Sequence, residues 1–145
     1  MNVFTIGFTK RTAADFFGAL RQAGIERLVD VRLNNSSQLA GFTKASDLPF
    51  FLKAICGAEY LHEPLLAPTQ ELLDAYKKAK GSWVEYERKF LALMAKRKIE
   101  VRIGSQLFEV PTALLCSERT AEHCHRRLVL EYLQEQWGGL TIVHL

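Results

Sequence analysis

A stretch near the carboxyl end of the chain, residues 111–137, constrains the fold more than any other part of it. The stretch begins with a proline and the apolar run Thr112-Ala113-Leu114-Leu115-Cys116, which is the pattern of a buried strand. It ends with an amphipathic run in which Val129, Leu133 and Trp137 are spaced four residues apart, and this spacing predicts a helix. A strand, a polar turn and a helix in succession are typical of an α/β fold, and they place side chains at the carboxyl edge of a sheet.

Strand-like and helix-like segments alternate along the rest of the chain. An apolar run over 3–7 predicts a first strand, and Thr12 is the expected N-cap of the helix that follows. Further strands are predicted over 25–31, 58–62 and 140–144, and further helices over 48–55, 69–80 and 82–97. Residues 33–49 are polar and predict a long loop above the sheet, whereas the alternation within 99–110 predicts a hairpin or an irregular strand.

This order of segments favours one domain over residues 1–145. The expected architecture is a three-layer α/β sandwich around a mostly parallel central sheet, Rossmann-like or flavodoxin-like. A chain of 145 residues with 48% hydrophobic residues is long and apolar enough for one adequate core.

Charge and cysteine content exclude several functional classes. The net charge of +3 comes without a block of lysine or arginine, which argues against a dedicated nucleic-acid surface. No apolar run is long enough to span a bilayer, so no membrane association is expected, and no signal peptide is recognisable. Three cysteines form an odd set that implies no disulfide framework, and we expect a cytoplasmic location.

Polar residues follow several predicted strands at the ends where parallel sheets bind ligands. Asp30 and Arg32 end the second strand, and Cys116 and Glu118 end the strand of the 111–137 stretch. Because the carboxyl ends of parallel strands meet at one edge, we expect these side chains to form a common rim. The same rule adds residues from the ends of the other strands: Gly7, Phe8, His62, Glu63 and His144.

Three short segments resemble the signatures of the domain of unknown function 488 family. They are Thr5-Ile6-Gly7, then Asp30-Val31-Arg32 with Ser37 five residues later, and Leu114-Leu115-Cys116-Ser117-Glu118 followed by Cys124-His125-Arg126. Their order and spacing match over nearly the whole chain. The resemblance implies a compact α/β domain with a suspected but unassigned active site, and it implies no established reaction.

Cys116 is the strongest catalytic candidate. At the end of a strand that faces a helix N-terminus, with arginines nearby, its thiolate would be stabilised and would suit nucleophilic or sulfur-transfer chemistry. Glu118 or His125 would then move the proton. The alternatives are that Cys116 is an inert buried residue, that Glu118 is a salt-bridge partner, and that His125 is hydrogen-bonded to the backbone.

Two arginines, Arg32 and Arg126, are the main candidates for ligand binding. Arg32 at a strand end and Arg126 at a helix start are expected to converge on an anion. Asp30 is expected either to orient Arg32 or to hydrogen-bond a sugar or a base of the ligand. Gly7 and Ser37 complete the predicted binding set. The alternative is a buried ion network that only holds the rim together.

Cysteine and histidine ligands for a metal are also present near this rim. Cys116, Cys124 and His125 have the donor types that zinc prefers, but their spacing matches no recognised zinc pattern, so no metal ligand is assigned. Cys124 aligns with Leu128 and Tyr132 and is expected to pack, and a Cys116–Cys124 disulfide is a weaker option. Adjacent helical residues face different ways, so we expect only one of Cys124 and His125 at the rim.

The favoured function is therefore a small enzyme that acts on a phosphate-bearing or nucleotide-like substrate at the carboxyl edge of the sheet. The expected partner is an anionic small molecule or a nucleic-acid component. The alternatives are a non-catalytic module that binds a nucleotide, a nucleic acid or a protein, and a metal-stabilised module. The sequence identifies neither a cofactor nor an oligomeric state.

Overall fold

The computed structural model describes residues 1–36 and 40–145. Its strands are β1 (Asn2–Gly7), β2 (Arg27–Asp30), β3 (Glu59–His62), β4 (Thr112–Cys116) and β5 (Thr141–His144). Its helices are α1 (Ala13–Gln22), α2 (Leu48–Phe51), which a π-helical turn extends over Leu52–Cys56, α3 (Gln70–Lys77), α4 (Trp83–Arg97), α5 (Ile99–Arg102) and α6 (His125–Trp137). No helix within these described residues is long and apolar enough to cross a bilayer.

The five strands form one parallel sheet in the order β3-β2-β4-β1-β5. Helices cover both faces, so the predicted three-layer α/β sandwich is confirmed. Strand β4 is inserted between β1 and β2, which are neighbours in the Rossmann and flavodoxin orders. Leu114 of β4 is in register with Thr5 on one side and with Val29 on the other.

All five residues of β4 are buried, as expected for a central strand with helices on both faces. Its side chains alternate between two cores. Ala113 and Leu115 pack with residues of α1 and α2, whereas Leu114 and Cys116 pack with residues of α4 and α6.

The helix that follows β4 lies on the opposite face of the sheet from the helices that follow β1 and β2. After β1 and β2 it passes to α1 and α2, which lie against one face. After β4 it passes to α6, which lies against the other face. Connections that diverge in this way leave a crevice at the carboxyl end of the sheet, and such a crevice is the usual ligand site of an α/β fold.

Side-chain caps begin three of the helices, including the one predicted at Thr12. The hydroxyl oxygens of Thr12, Thr69 and Ser82 accept hydrogen bonds from backbone N–H groups three residues later, at 3.0 to 3.1 Å. Each bond satisfies one of the N–H groups that lack a partner in the first turn of a helix. The starts of α1, α3 and α4 therefore follow from local sequence.

The prediction of a hairpin or irregular strand over 99–110 is wrong. The segment forms α5 and a 3₁₀ turn at Ser105–Phe108. Lys98 takes a left-handed conformation, with φ 54°, which ends α4 and lets a second helix start at once. Alternate apolar residues do not share a buried face, because Ile99 is fully buried while Val101 is 75% exposed.

Two side chains of α6 hold α5 in place. The Tyr132 hydroxyl donates to the Glu100 carboxylate at 2.7 Å, and the Trp137 indole N–H donates to the Glu100 carbonyl oxygen at 3.0 Å. Burial, followed by the hydrogen bond to Glu100, raises the pKa of Tyr132 to about 12.

We expect Tyr132→Phe to lower the free energy of unfolding by roughly 1–2 kcal/mol at neutral pH, because a hydrogen bond to a charged group is lost. An unfolded tyrosine ionises near pH 10, below the folded value, so this contribution is complete below that pH and declines as the pH rises towards 12. Urea unfolding of both proteins between pH 7 and pH 11 measures the difference. Equal free energies of unfolding at pH 7, or a difference between the two proteins that grows as the pH rises, would contradict the proposed contribution of this hydrogen bond.

Candidate active site

A pocket with a cavity volume of about 150 Å³ lies at the carboxyl end of β4. Cys116, Cys124 and His125 line its deepest part, where β4 ends and α6 begins. The surrounding residues come from the segments after β2 and β3, from α3 and α4, and from the turn after β4: Arg32, Leu33, Asn34, Pro68, Leu73, Tyr76, Lys77, Trp83, Tyr86, Ser117, Glu118 and His123. The pocket thus occupies the crevice that the topology creates.

Cys116 and His125 are close enough to exchange a proton. The Cys116 Sγ lies 3.5 Å from His125 Nδ1, and His125 Nε2 lies 2.7 Å from the carbonyl oxygen of Val31. Because a carbonyl oxygen only accepts, Nε2 carries a hydrogen, which leaves Nδ1 of the neutral ring unprotonated. The Cys116 sulfur also lies 3.8 Å from Nε2, so it sits over the face of the ring and a turn of the ring is needed to aim Nδ1 at it. The backbone of Val31 therefore sets the tautomer that a base beside Cys116 requires.

Neighbouring groups stabilise the thiolate form of Cys116. The pKa of Cys116 is lowered, first by a hydrogen bond from the Cys124 thiol and then, against the opposing effect of burial, by the Ser117 backbone N–H and the Arg126 charge. Burial raises the pKa of Cys124 well above its usual value, so Cys124 keeps the proton that it donates. Burial also lowers the pKa of His125, which keeps the imidazole neutral.

Cys124 and His125 both line the pocket, although adjacent helical residues were expected to face different ways. Cys124 is the N-cap of α6 and has an extended backbone, with φ −138° and ψ 137°, whereas His125 is the first helical residue. The change of conformation between them turns both side chains towards Cys116. Atoms of the three residues that can bind a metal all lie within 4.8 Å of one another, and all three cysteines of the chain are free thiols.

An aromatic wall, formed by Tyr76, Trp83, Tyr86 and His123, closes one side of the pocket. The rings of Trp83 and Tyr86 are stacked, with centroids 5.2 Å apart, and Trp83 and His123 are stacked at 4.9 Å. Tyr76 packs against Tyr86 at 5.0 Å. Flat rings in this arrangement offer a surface that suits a planar ligand group.

At the entrance, Lys77 and Glu118 form an ion pair of 2.9 Å, and both side chains are about half exposed. The Glu118 carboxylate therefore faces Lys77 and not Arg32 or Arg126. In solvent such a pair contributes little to stability, so either group can turn towards a ligand at small cost.

Arg32 is held by Asp30. Its Nε and Nη2 donate to the two carboxylate oxygens at 2.9 and 2.8 Å, and Nη2 also donates to the Thr43 carbonyl oxygen at 2.6 Å. Both side chains are buried, and Tyr60 adds a hydrogen bond of 2.6 Å to Asp30. Asp30 thus fixes the position of the Arg32 guanidinium, and Arg32 also lines the pocket.

Arg126 braces the turn after β4 from below and does not line the pocket. Its Nη1 and Nη2 donate to the carbonyl oxygens of Glu118 and Arg119 at 2.6 and 3.3 Å. Gly7 lies beneath the same turn, where a Cβ atom would come within 1.6 Å of the Glu118 carbonyl oxygen. Ser37, the remaining residue of the predicted binding set, lies outside the described residues.

The model of the family described as Domain of unknown function DUF488 matches residues 12–133. This range contains α1 through most of α6, including every residue that lines the pocket. The chain belongs to this family. No curated protein and no solved structure matches the chain.

Two histidines of the predicted rim lie away from the pocket of this family member. His62 belongs to β3 and His144 to β5, which are the opposite edge strands of the sheet. His62 Nε2 hydrogen-bonds to the Arg32 carbonyl oxygen at 2.9 Å, and His144 Nδ1 to the Thr5 hydroxyl at 2.6 Å. Phe8 packs beneath the Arg32 guanidinium at 5.3 Å, and the Glu63 carboxylate caps a 3₁₀ turn.

The sequence did not single out the aromatic wall as part of a site. Tyr76 and Tyr86 appear as the inward face of α3 and α4, where an aromatic residue normally signals a core. Their spacing from Trp83 across the α3–α4 turn was the available signal. Tyr76 and Tyr86 line the pocket because α3 and α4 lie above the carboxyl end of β4.

We expect Asp30→Asn to lower the free energy of unfolding by roughly 3–5 kcal/mol, because it leaves the buried Arg32 charge without a partner. The matched control is Glu59→Gln, which breaks the exposed ion pair with Arg27 and should cost less than about 1 kcal/mol. Chemical denaturation of the two variants provides the comparison. Similar losses for both would mean that the Asp30–Arg32 pair is no more important than a surface pair.

Gly7→Ala and Gly18→Ala should have opposite effects. At Gly7 the added methyl group collides with the Glu118 backbone, so we expect a lower melting temperature and a displaced turn above Cys116. At Gly18, which is exposed in α1, the methyl group meets nothing within 4 Å and should stabilise the helix by about 0.5–1 kcal/mol. Thermal melts test both; unchanged stability of Gly7→Ala would contradict the close approach.

Proposed function

We propose that the protein is an enzyme in which Cys116 is the nucleophile and His125 is the general base. The observation that carries this proposal is the chain of contacts from the Cys116 sulfur to His125 Nδ1 and from Nε2 to the Val31 carbonyl oxygen, at the bottom of a pocket. A nucleophile beside a base that a third group orients is the recurring arrangement of covalent catalysis.

The proposed first step is attack by sulfur. The thiol proton passes from Cys116 to His125 Nδ1, the sulfur forms a bond to an electrophilic atom of the substrate, and the leaving group departs with that proton. An acceptor, such as water, then takes the transferred group and releases the thiolate. Hydrogen bonds from Cys124 and from the Ser117 backbone would stabilise the thiolate before and after the step.

The substrate class that we propose is phosphate-bearing or nucleotide-like. The aromatic wall supports a planar group, since Trp83 and His123 already stack in parallel. The N-terminus of the 13-residue helix α6 supports an anionic group. Lys77 would add positive charge if it turned from Glu118 to the ligand, whereas the charge of Arg32 is balanced by Asp30. Arg126 would act as a positioning residue, because its Nη1 and Nη2 donate to carbonyl oxygens of the turn and its side chain does not line the pocket.

The size of the pocket limits how much of the substrate enters. A cavity of about 150 Å³ is smaller than the roughly 300–1,000 Å³ that enclose a drug-sized ligand. The reacting part would therefore enter between the aromatic wall and Arg32, and the rest would extend past the Lys77–Glu118 pair.

Labelling with iodoacetamide tests the nucleophile directly. We expect Cys116 to react fastest of the three cysteines, with a rate that falls roughly tenfold or more in His125→Ala. Cys56→Ser is the matched control, because Cys56 lies away from the pocket and burial raises the pKa of its thiol. Peptide mass spectrometry assigns each adduct. A Cys116 that reacts no faster than Cys56 would remove the nucleophilic role.

A screen for turnover completes the test. Nucleotides and phosphate monoesters are incubated with the protein, with Cys116→Ser and with Cys56→Ser, and products and covalent adducts are followed by mass spectrometry. We expect turnover to fall at least about a hundredfold in Cys116→Ser and to be unchanged in Cys56→Ser. Equal turnover in wild type and Cys116→Ser would contradict the proposal.

A binding module is the second candidate. It is favoured by the small exposure of Cys116, which presents only 4% of its surface. Under this alternative the same compounds would raise the melting temperature without turnover and without an adduct on Cys116. Stabilisation that is lost in a Trp83→Ala variant would place such a ligand on the aromatic wall.

A further inference from the structure

We propose that Cys116, Cys124 and His125 form a zinc site whose fourth position opens into the pocket, so that zinc reversibly blocks the reactive thiol. Two sulfurs and one imidazole nitrogen are a donor set that zinc prefers. The metal site itself is argued from geometry, whereas its inhibitory effect rests on the proposed function of Cys116.

The separation of the donor atoms suits a tetrahedral ion. Bonds of about 2.3 Å to sulfur and about 2.0 Å to nitrogen place those two atoms about 3.5 Å apart across a tetrahedral angle. The Cys116 Sγ and His125 Nδ1 are 3.5 Å apart, and the donor atoms of all three residues lie within 4.8 Å of one another. Binding would require rotation of the His125 ring or the Cys116 side chain, because the Cys116 sulfur also lies 3.8 Å from Nε2 and so over the ring face. The Cys124 side chain would adjust in the same way.

His125 is oriented as a metal-binding histidine usually is. Its Nε2–H donates to the Val31 carbonyl oxygen at 2.7 Å, which leaves Nδ1 unprotonated and therefore able to bind a metal. Metal ligands of this type almost always donate their second ring nitrogen to a backbone carbonyl or a carboxylate. The same hydrogen bond that prepares a base for Cys116 therefore prepares a ligand for zinc.

Three protein ligands leave one coordination position open. Within residues 1–36 and 40–145 the cluster contains Cys116, Cys124 and His125 and no fourth side chain with a suitable donor atom. All three residues line the pocket, so water or a substrate atom can reach the ion. A structural zinc site is closed by four protein ligands, whereas an open site exchanges its fourth ligand. The arrangement thus fits an ion that can be removed.

Zinc would inhibit the enzyme because it would occupy the Cys116 sulfur and the His125 nitrogen that the proposed reaction uses. An ion bound to Cys116 uses the sulfur lone pair that nucleophilic attack requires, and an ion bound to His125 Nδ1 uses the lone pair that accepts the proton. The metal-free protein would then be the reactive form, and zinc availability would regulate it.

Metal binding is tested on the full chain, purified with a non-thiol reductant and stripped with a chelator. Cobalt(II) is added first, because thiolate ligation gives an intense near-ultraviolet charge-transfer band. We expect one equivalent to bind, with the band weakened in Cys124→Ala and affinity reduced at least about tenfold in Cys124→Ala and His125→Ala. Cys56→Ser is the control and should bind as the wild type does. No thiolate band, or equal affinity in Cys124→Ala, would overturn the metal site.

The inhibitory effect has a separate measurement. One equivalent of zinc should slow iodoacetamide labelling of Cys116 at least about tenfold, and a chelator should restore the rate. Zinc binding with unchanged labelling would overturn the inhibitory role. A protein that binds zinc but whose metal-free Cys116 is unreactive would instead remove the proposed enzyme function and leave the metal site standing.

Discussion

The burial of β4 at the centre of a parallel sheet is the constraint on which the rest of the structure depends. Hydrogen bonds to β2 and β1 hold it on both sides, and cores on both faces exclude water from all five of its residues. The first residues of the chain to leave this enclosure are those that follow the carboxyl end of β4. Because the chain then leaves for α6 while its neighbours lead to the other face, a crevice forms above Cys116. The position of the site is thus a consequence of topology.

The turn between Cys116 and His125 owes its shape to groups that are not part of the pocket. Arg126 supplies two donors to its carbonyl oxygens, and the backbone N–H of Thr9 donates to the Ser117 carbonyl oxygen at 3.0 Å. The missing side chain of Gly7 provides the space beneath it. Because Nη1 and Nη2 both donate to the turn and the side chain does not line the pocket, Arg126 is better understood as a brace than as a binding group. The two arginines that the sequence grouped together therefore have different tasks.

The reactivity that we propose for the pocket would arise from the proximity of three groups: Cys116, Cys124 and His125. The Cys124 thiol lowers the pKa of Cys116 by hydrogen bonding, whereas burial raises the pKa of Cys124 and lowers that of His125, so neither cysteine has its usual pKa. Such clusters are typical of catalytic sites and of metal sites alike, because both need lone pairs that face a common point. An electrophile and a metal ion would meet the same atoms.

Local sequence determined much of the fold. The caps at Thr12, Thr69 and Ser82, the apolar run of β4 and the placement of Cys116 at its end all follow from interactions within a few residues. The segment 99–110 was predicted wrongly because a left-handed Lys98 and the docking of Glu100 on α6 override its alternating pattern. Tertiary structure alone decided that Val31 fixes the tautomer of His125 and that the aromatic wall stands above Cys116. The physical reason is that these arrangements depend on distances between residues tens of positions apart, and periodicity and spacing carry no information about such distances.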